Sequence, residues 1–209
     1  DLIETYRKTI YSIEKEIKRI SLFNKFISKR SSHCQQESLA LEGGQVISVS
    51  NINNSNKKPS GRIHTFYNGD EYIGKIIDGK MEGKGTYKFF QESGKELEYV
   101  GHFKNDMKDG NGTCELPNGC VYTGQWKEDL MDGIGKMHYV SDDEYLGHWK
   151  HGKKEGHGMY TWKNRGMYIG EFKHGKMDGI GTCYDENGRI IYEGEFKNNL
   201  PHGKGIYIW

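Results

Sequence analysis

The sequence predicts a mainly β protein, an elongated single-layer array of stacked antiparallel β-hairpins with an α-helix at its N-terminal end. Two periodicities predict the array. Tyr-x-Gly recurs at Tyr72, Tyr99, Tyr122, Tyr145, Tyr168 and Tyr192, at intervals of 27, 23, 23, 23 and 24 residues, and self-similarity at such a period marks a repeat architecture. Gly-x-Gly keeps step with it, beginning 11 residues after each tyrosine, at Gly83, Gly110, Gly133, Gly156, Gly179 and Gly203. A third pattern, isoleucines three and four residues apart near the start of the chain, predicts the helix.

Composition narrows the function classes. Of 209 residues 34% are hydrophobic, and the mean hydropathy is −0.86; no stretch approaches the roughly 20 apolar residues of a transmembrane helix. Lys and Arg number 30 against 29 Asp and Glu, a net charge of +1 that gives no general basis for nucleic-acid binding. Cys34, Cys114, Cys120 and Cys183 form neither a C-x-x-C pair nor a zinc spacing, which suits a reducing cytosol. The chain opens on Asp1 and charged residues rather than an apolar signal core, and so reads as an excerpt of a longer protein.

Residues 1–30 form the predicted amphipathic helix. Ile3, Ile10, Ile17 and Asn24 fall at the a positions of a heptad, and Tyr6, Ile13, Ile20 and Ile27 at d, the seam of an oligomerisation helix with Asn24 placed to fix register. The seam serves equally for pairing with a second copy or docking on the array. Eight Lys or Arg against four Asp or Glu add a membrane-surface reading, which Glu4, Glu14 and Glu16 weaken. Residues 31–60 lack periodicity and read as a flexible linker. Residues 61–71 look like the second half of a degenerate repeat. The full repeats follow at 72–98, 99–121, 122–144, 145–167, 168–191 and 192–209.

Within each repeat, alternation places the Tyr, the Gly and a fourth residue (Ile76, Phe103, Trp126, Trp149, Phe172 or Phe196) on one face of a first strand. The second strand carries Gly-x-Gly and then Tyr87, Cys114, Met137, Tyr160, Cys183 or Tyr207, with both glycines expected on that face. Between the strands stand pairs such as Asp78-Gly79, Asn105-Asp106 and His151-Gly152, residues that tolerate the positive φ of hairpin turns. Glycine weakens a strand by roughly 0.5–1 kcal/mol, and the expected compensation is a ring from the adjoining hairpin lying on the bare backbone. Hairpins are marginal alone, so each repeat depends on its neighbours.

The pattern Tyr145, Gly147, Trp149, Gly156, Gly158 closely resembles the MORN (membrane occupation and recognition nexus) repeat, and the resemblance runs from residue 72 to 209. Ile76 in place of the aromatic, Asn105-Asp106 and Glu128-Asp129 in place of a turn glycine, and four extra residues in the first repeat depart from it. The resemblance implies a protein-interaction or membrane-tethering module. Such modules occur in cytoskeletal, ciliary, junctional and cortical scaffolds and beside several enzymes.

The candidate partner groove comprises Tyr72, Tyr99, Phe103, Tyr122, Trp126, Tyr145, Trp149, Tyr168, Phe172, Tyr192 and Phe196, which share one face; rings left uncovered there offer apolar surface to an amphipathic helix or extended peptide. Cys114 and Cys183 replace tyrosine at a repeat position and read as small apolar fillers, and His148, His151 and His157 as solvated residues without metal-ligand spacing. Gly79 to Gly85 lacks the spacing and hydroxyl of a phosphate loop. No catalytic residue, cofactor or metal is therefore expected. The expected function is a cytoplasmic, non-enzymatic protein-binding scaffold at the cytoskeleton or cell cortex, homo-oligomeric through the helix or an exposed end strand. The alternatives are a phosphoinositide or anionic-lipid tether using turn lysines such as Lys80, Lys108 and Lys154, and an accessory region of a larger enzyme.

Overall fold

A computed structural model describes residues 62–90 and 97–208. The predicted helix, the linker and the extra residues of the first repeat lie outside them. β1 (Arg62–Thr65) leads into six hairpins. They are β2 (Glu71–Ile77) with β3 (Lys80–Phe89), β4 (Leu97–Lys104) with β5 (Met107–Glu115), and β6 (Val121–Lys127) with β7 (Leu130–His138). Then follow β8 (Glu144–Lys150) with β9 (Lys153–Trp162), β10 (Gly166–Lys173) with β11 (Lys176–Tyr184), and β12 (Ile190–Lys197) with β13 (Leu200–Tyr207). All 13 strands form one sheet in sequence order, each antiparallel to the next, as consecutive short hairpins dictate.

The turns explain why three repeats manage without glycine. Asn105 and Asp106 have φ of 50° and 69°, Glu128 and Asp129 49° and 66°, and Asn198 and Asn199 51° and 72°. Positive φ at both central residues gives the hairpin turn whose twist matches that of the strands. The acidic or amide side chain has a second use: Oδ1 of Asp106, Asp129 and Asn199 accepts from the backbone N–H of Met81, Lys108 and Met177 at 2.7, 2.9 and 2.8 Å. Each of these bonds ties a turn to the preceding repeat. Glu82 and Glu155 reach the other way, accepting from the turn N–H groups of Asn105 and His174 at 2.8 and 2.9 Å. Acidic residues of the turn regions thus stitch neighbouring hairpins together.

The glycines differ from expectation in two respects. The ring that covers them belongs to the same hairpin. A Cβ on Gly135 would lie 2.2 Å from the Tyr122 hydroxyl, and one on Gly147 would lie 2.6 Å from both the Tyr145 hydroxyl and the Gly158 Cα. The second glycine of each pair faces the first strand's glycine across the hairpin, as in Gly101↔Gly112 and Gly147↔Gly158. The first glycine instead sits at an irregularity in the register, with φ of 100° at Gly133 and 65° at Gly156. A Cβ there would point to the opposite face, against Gln125 or His148. The bulge interrupts the two-residue alternation, so the two glycines of a pair do not share a face.

A ladder of rings forms the core on the covered face. Tyr99, Tyr122, Tyr145 and Tyr168 each meet their own repeat's aromatic and that of the next: Tyr122 lies 5.1 Å from Trp126 and 5.3 Å from Trp149, and Tyr145 lies 5.2 Å from Trp149 and 4.9 Å from Phe172. Interplanar angles of 77–88° make these edge-to-face contacts, each contributing about 0.5–1.5 kcal/mol beyond burial. The tyrosine hydroxyl donates to the carbonyl three residues on, 2.9 Å for Tyr122 to Gln125 and for Tyr145 to His148. Nε1 of Trp126 and Trp149 donates back to Gly112 and Gly135 of the preceding repeat at 3.1 Å.

Burial pushes the hydroxyl pKa of Tyr99, Tyr122, Tyr145 and Tyr168 well above the ordinary tyrosine range. Below pH ~10 both folded and unfolded chains keep these protons; above it only the unfolded chain releases them, and stability falls by ~1.4 kcal/mol per pH unit for each tyrosine until the folded-state pKa is reached. In an alkaline titration, tyrosinate absorbance from the core and loss of the strand circular-dichroism signal should therefore appear together. Ionisation of every tyrosine in a sheet that keeps its strand signal would contradict the assignment.

Candidate functional site

All eleven predicted groove rings are buried. Tyr72, Tyr99, Tyr122, Tyr145 and Tyr168 have no exposed surface, and Phe103, Trp126, Trp149, Phe172, Tyr192 and Phe196 retain at most 6%. They build the face but present almost no surface to solvent, because they pack edge to face against one another. The surface beside them consists of half-buried side chains packed on the ladder: Tyr87, Phe89, Leu116, Tyr139, Tyr160 and Trp162. Tyr139 and Tyr160 lie 5.8 Å apart, and Tyr160 and Trp162 5.1 Å. Strand alternation places Tyr87, Phe89, Tyr160 and Trp162 on the ladder's side; Leu116 and Tyr139 join them from the loops between hairpins.

Two aspartates hold part of this strip rigid. The Asp70 carboxylate accepts from the Tyr87 hydroxyl and the Phe90 N–H, both at 2.7 Å. The Asp143 carboxylate accepts from the Tyr160 hydroxyl at 3.1 Å and the Lys163 N–H at 2.9 Å. Burial pushes the Asp70 carboxyl up, but the bonds from Tyr87, Phe90 and Asn68 together hold it below the usual range; Asp143 is lowered chiefly by its bond from Lys163. Cys120, just before the third repeat, and Met137 within it, both buried, stand where this polar pair stands at the first and fourth.

Two lysines expected near the turns lie instead against the rings. Lys108 and Lys154 occupy a row nine residues after the repeat tyrosine, where Met81, Met131 and Met177 stand in other repeats. Lys108 Nζ lies 5.0 Å from the centre of the Trp126 ring and 3.8 Å from Asp129 Oδ1. Lys154 Nζ lies among four rings, 4.6 Å from Tyr160, 5.4 Å from Tyr145, 5.5 Å from Phe172 and 5.9 Å from Tyr139. Such placements attract the ammonium through the ring quadrupole. Burial also lowers the pKa of Lys154.

Cys114 is buried and Cys183 half-buried, and burial pushes both thiols up, Cys183 to about 11. Protonated at neutral pH, they are poor nucleophiles. His148 and His157 are half-buried on the opposite face, each with one ring nitrogen out of reach of solvent, so they depart from the solvated reading; His151 is exposed. The predicted helix residues Ile3, Tyr6, Ile10, Ile13, Ile17, Ile20, Asn24 and Ile27 lie outside the described residues.

The family model of the MORN repeat matches residues 72–91, 99–121, 122–144, 145–167, 168–188 and 192–209. The chain belongs to the MORN repeat family, whose repeats are protein- and membrane-binding modules. A comparison with curated proteins yields no match. Among solved structures, one that aligns is the TCP domain of SAS-4 (dCPAP) of Drosophila melanogaster in complex with a proline-rich motif of Ana2 (dSTIL). The identity is 14%, over 69% of this chain and 96% of that chain, with a TM-score of 0.32; a likeness of that size carries no argument about partners.

Proposed function

We propose that the array is a non-catalytic scaffold that captures an amphipathic helix or extended segment of a protein partner on its aromatic face, in the cytoplasm at the cytoskeleton or cell cortex. The carrying observation is the strip of Tyr87, Phe89, Leu116, Tyr139, Tyr160 and Trp162, which packs against the ladder and remains partly exposed. Rigid aromatics with few rotamers to lose make strong contact anchors. Peptide binding along such a strip requires little rearrangement, because the side chains are already fixed by the ladder and by Asp70 and Asp143.

The test is a selection of peptides from a random display library against the folded chain, followed by affinity measurement on Tyr139→Ala/Trp162→Ala. Loss of two anchors should weaken binding by about tenfold to several hundredfold while the melting transition is retained. If the selected peptides bind the variant as tightly as the parent, and the chain instead sediments with phosphatidylserine vesicles in a salt-sensitive manner, the lipid-tether reading replaces this one.

A further inference from the structure

We propose that the slot between Lys154 and Gly175 is a carboxylate-binding subsite of the aromatic face, taking an Asp or Glu side chain that the partner carries between apolar residues. The inference rests on the protein-binding reading above and specifies the partner's chemistry.

The argument comes from comparing one row of the sheet across the repeats. At the second residue of the second strand stand Met81, Lys108, Met131, Lys154 and Met177. Facing each is the second turn residue of the following hairpin, and the turn N–H donates to the row residue's carbonyl: Asp106 to Met81 at 3.2 Å, Asp129 to Lys108 at 3.0 Å, and Gly152, Gly175 and Asn199 to Met131, Lys154 and Met177 at 2.9 Å. Methionine needs no counter-charge. Lys108 has one, because Asp129 Oδ1 accepts from its N–H at 2.9 Å and lies 3.8 Å from its Nζ. Lys154 faces Gly175 at the same place, and a Cβ built on Gly175 would meet nothing within 4 Å.

Lys154 is thus the row's lysine whose structural counter-acid is missing. Its Nζ is drawn in among four rings, and among the described residues no carboxylate comes within ion-pairing distance of it. Nearby acids are engaged elsewhere: Glu155 accepts from the His174 N–H, and Asp143 from Tyr160 and Lys163. Rings attract an ammonium but do not replace its hydration in full, and the lowered pKa of Lys154 records the deficit. A carboxylate placed beside Lys154 as Asp129 of the third repeat stands beside Lys108 would meet both the Nζ and an open approach beside Gly175. The surrounding Tyr139, Tyr160 and Phe172 would cover its apolar flanks and strengthen the charge-assisted contact.

The probe is 4-phenylbutyrate, with 4-phenylbutyramide as the isosteric neutral control, titrated into the full chain and followed by side-chain NMR of lysine Cε and Nζ. A saturable shift at Lys154 is expected with the carboxylate and one about tenfold weaker with the amide. Lys154→Met, which installs the residue the row carries at positions 81, 131 and 177 and is followed at the indole N–H of Trp162 beside Tyr160, should keep the melting transition and lose the preference for the acid. Gly175→Asp supplies the acid internally; Gly175 has a φ of 89° and Asp129 holds the same turn place at 66°, so the left-handed strain the aspartate takes on is of a kind this fold already carries. That variant should also lose the carboxylate shift, and its Lys154 pKa should rise. No saturable shift at Lys154, or retention of the carboxylate preference in either variant, overturns the subsite. Equal binding of acid and amide near Trp162 would overturn the subsite alone and leave the aromatic strip as a binding surface, whereas the display test above separately judges that strip.

Discussion

Gly147→Val should abolish folding of the central repeats. A Cβ at that position would stand 2.6 Å from the Gly158 Cα and 2.8 Å from the His157 carbonyl oxygen, so the clash is with backbone of the paired strand and no side-chain rotation relieves it. The only escape is to separate β8 from β9, which also lifts the Tyr145 ring from its seat. Since each hairpin is stable only through its neighbours, damage in the fourth repeat should propagate in both directions. The expected readout is a chain without a cooperative melting transition, or one whose transition keeps only part of its strand signal. The neighbouring His148→Gln provides the control, because Gln125 occupies the equivalent place and accepts from the Ile134 N–H at 2.8 Å. Equal melting temperatures for the two variants would refute the assignment of faces.

Tyr145→Ala should cost about 3–5 kcal/mol, the range for truncating a large buried ring. The side chain is fully buried, and its removal leaves Trp149 and Phe172 without the edge-to-face partner that links the fourth repeat to the fifth. Tyr145→Phe isolates the hydroxyl. It keeps the ring contacts but removes the donor to the His148 carbonyl, at a cost of about 1–3 kcal/mol for an unsatisfied buried acceptor. Chemical denaturation of the parent and both variants measures the two contributions separately. Comparable stabilities for the alanine and phenylalanine variants would mean that the ring ladder is not what joins the repeats.

The arrangement of strands was legible because the turn pairs and the Tyr-x-Gly period jointly constrain it. The bulge was less so. Counting outward from the turn at Asp78-Gly79 with regular pairing sets Tyr72 opposite Gly85, whereas the observed partner of Tyr72 is Tyr87. The clue lay in the need for two glycines to meet, since only Cβ-free residues let the tyrosine ring lie across both strands. Gly74 and Gly85 do meet, and the surplus residues are taken up at Gly83.

The candidate site was half legible. The repeated rings lie on the face proposed to bind, but their strict period is the signature of the core. Surface-forming residues Phe89, Leu116, Tyr139 and Trp162 each stand 17 residues after their repeat's tyrosine, but the residue type varies and the offset falls outside the Tyr-x-Gly and Gly-x-Gly patterns that mark the repeat. Lys108 and Lys154 were visible as charged substitutions in a methionine row, yet whether each had a counter-acid depended on a turn residue 21 positions away, Asp129 or Gly175.

The central claim is that a partner is held on the face bearing the ring ladder, and photo-crosslinking from two adjacent positions of β9 tests it most directly. Benzoylphenylalanine at Trp162 projects from the aromatic face, and at Thr161 from the opposite one. With a peptide selected against the parent chain, the account predicts an adduct from position 162 and none above background from 161. Equal adducts from both, or a stronger one from 161, would place the partner on the polar face and contradict the account.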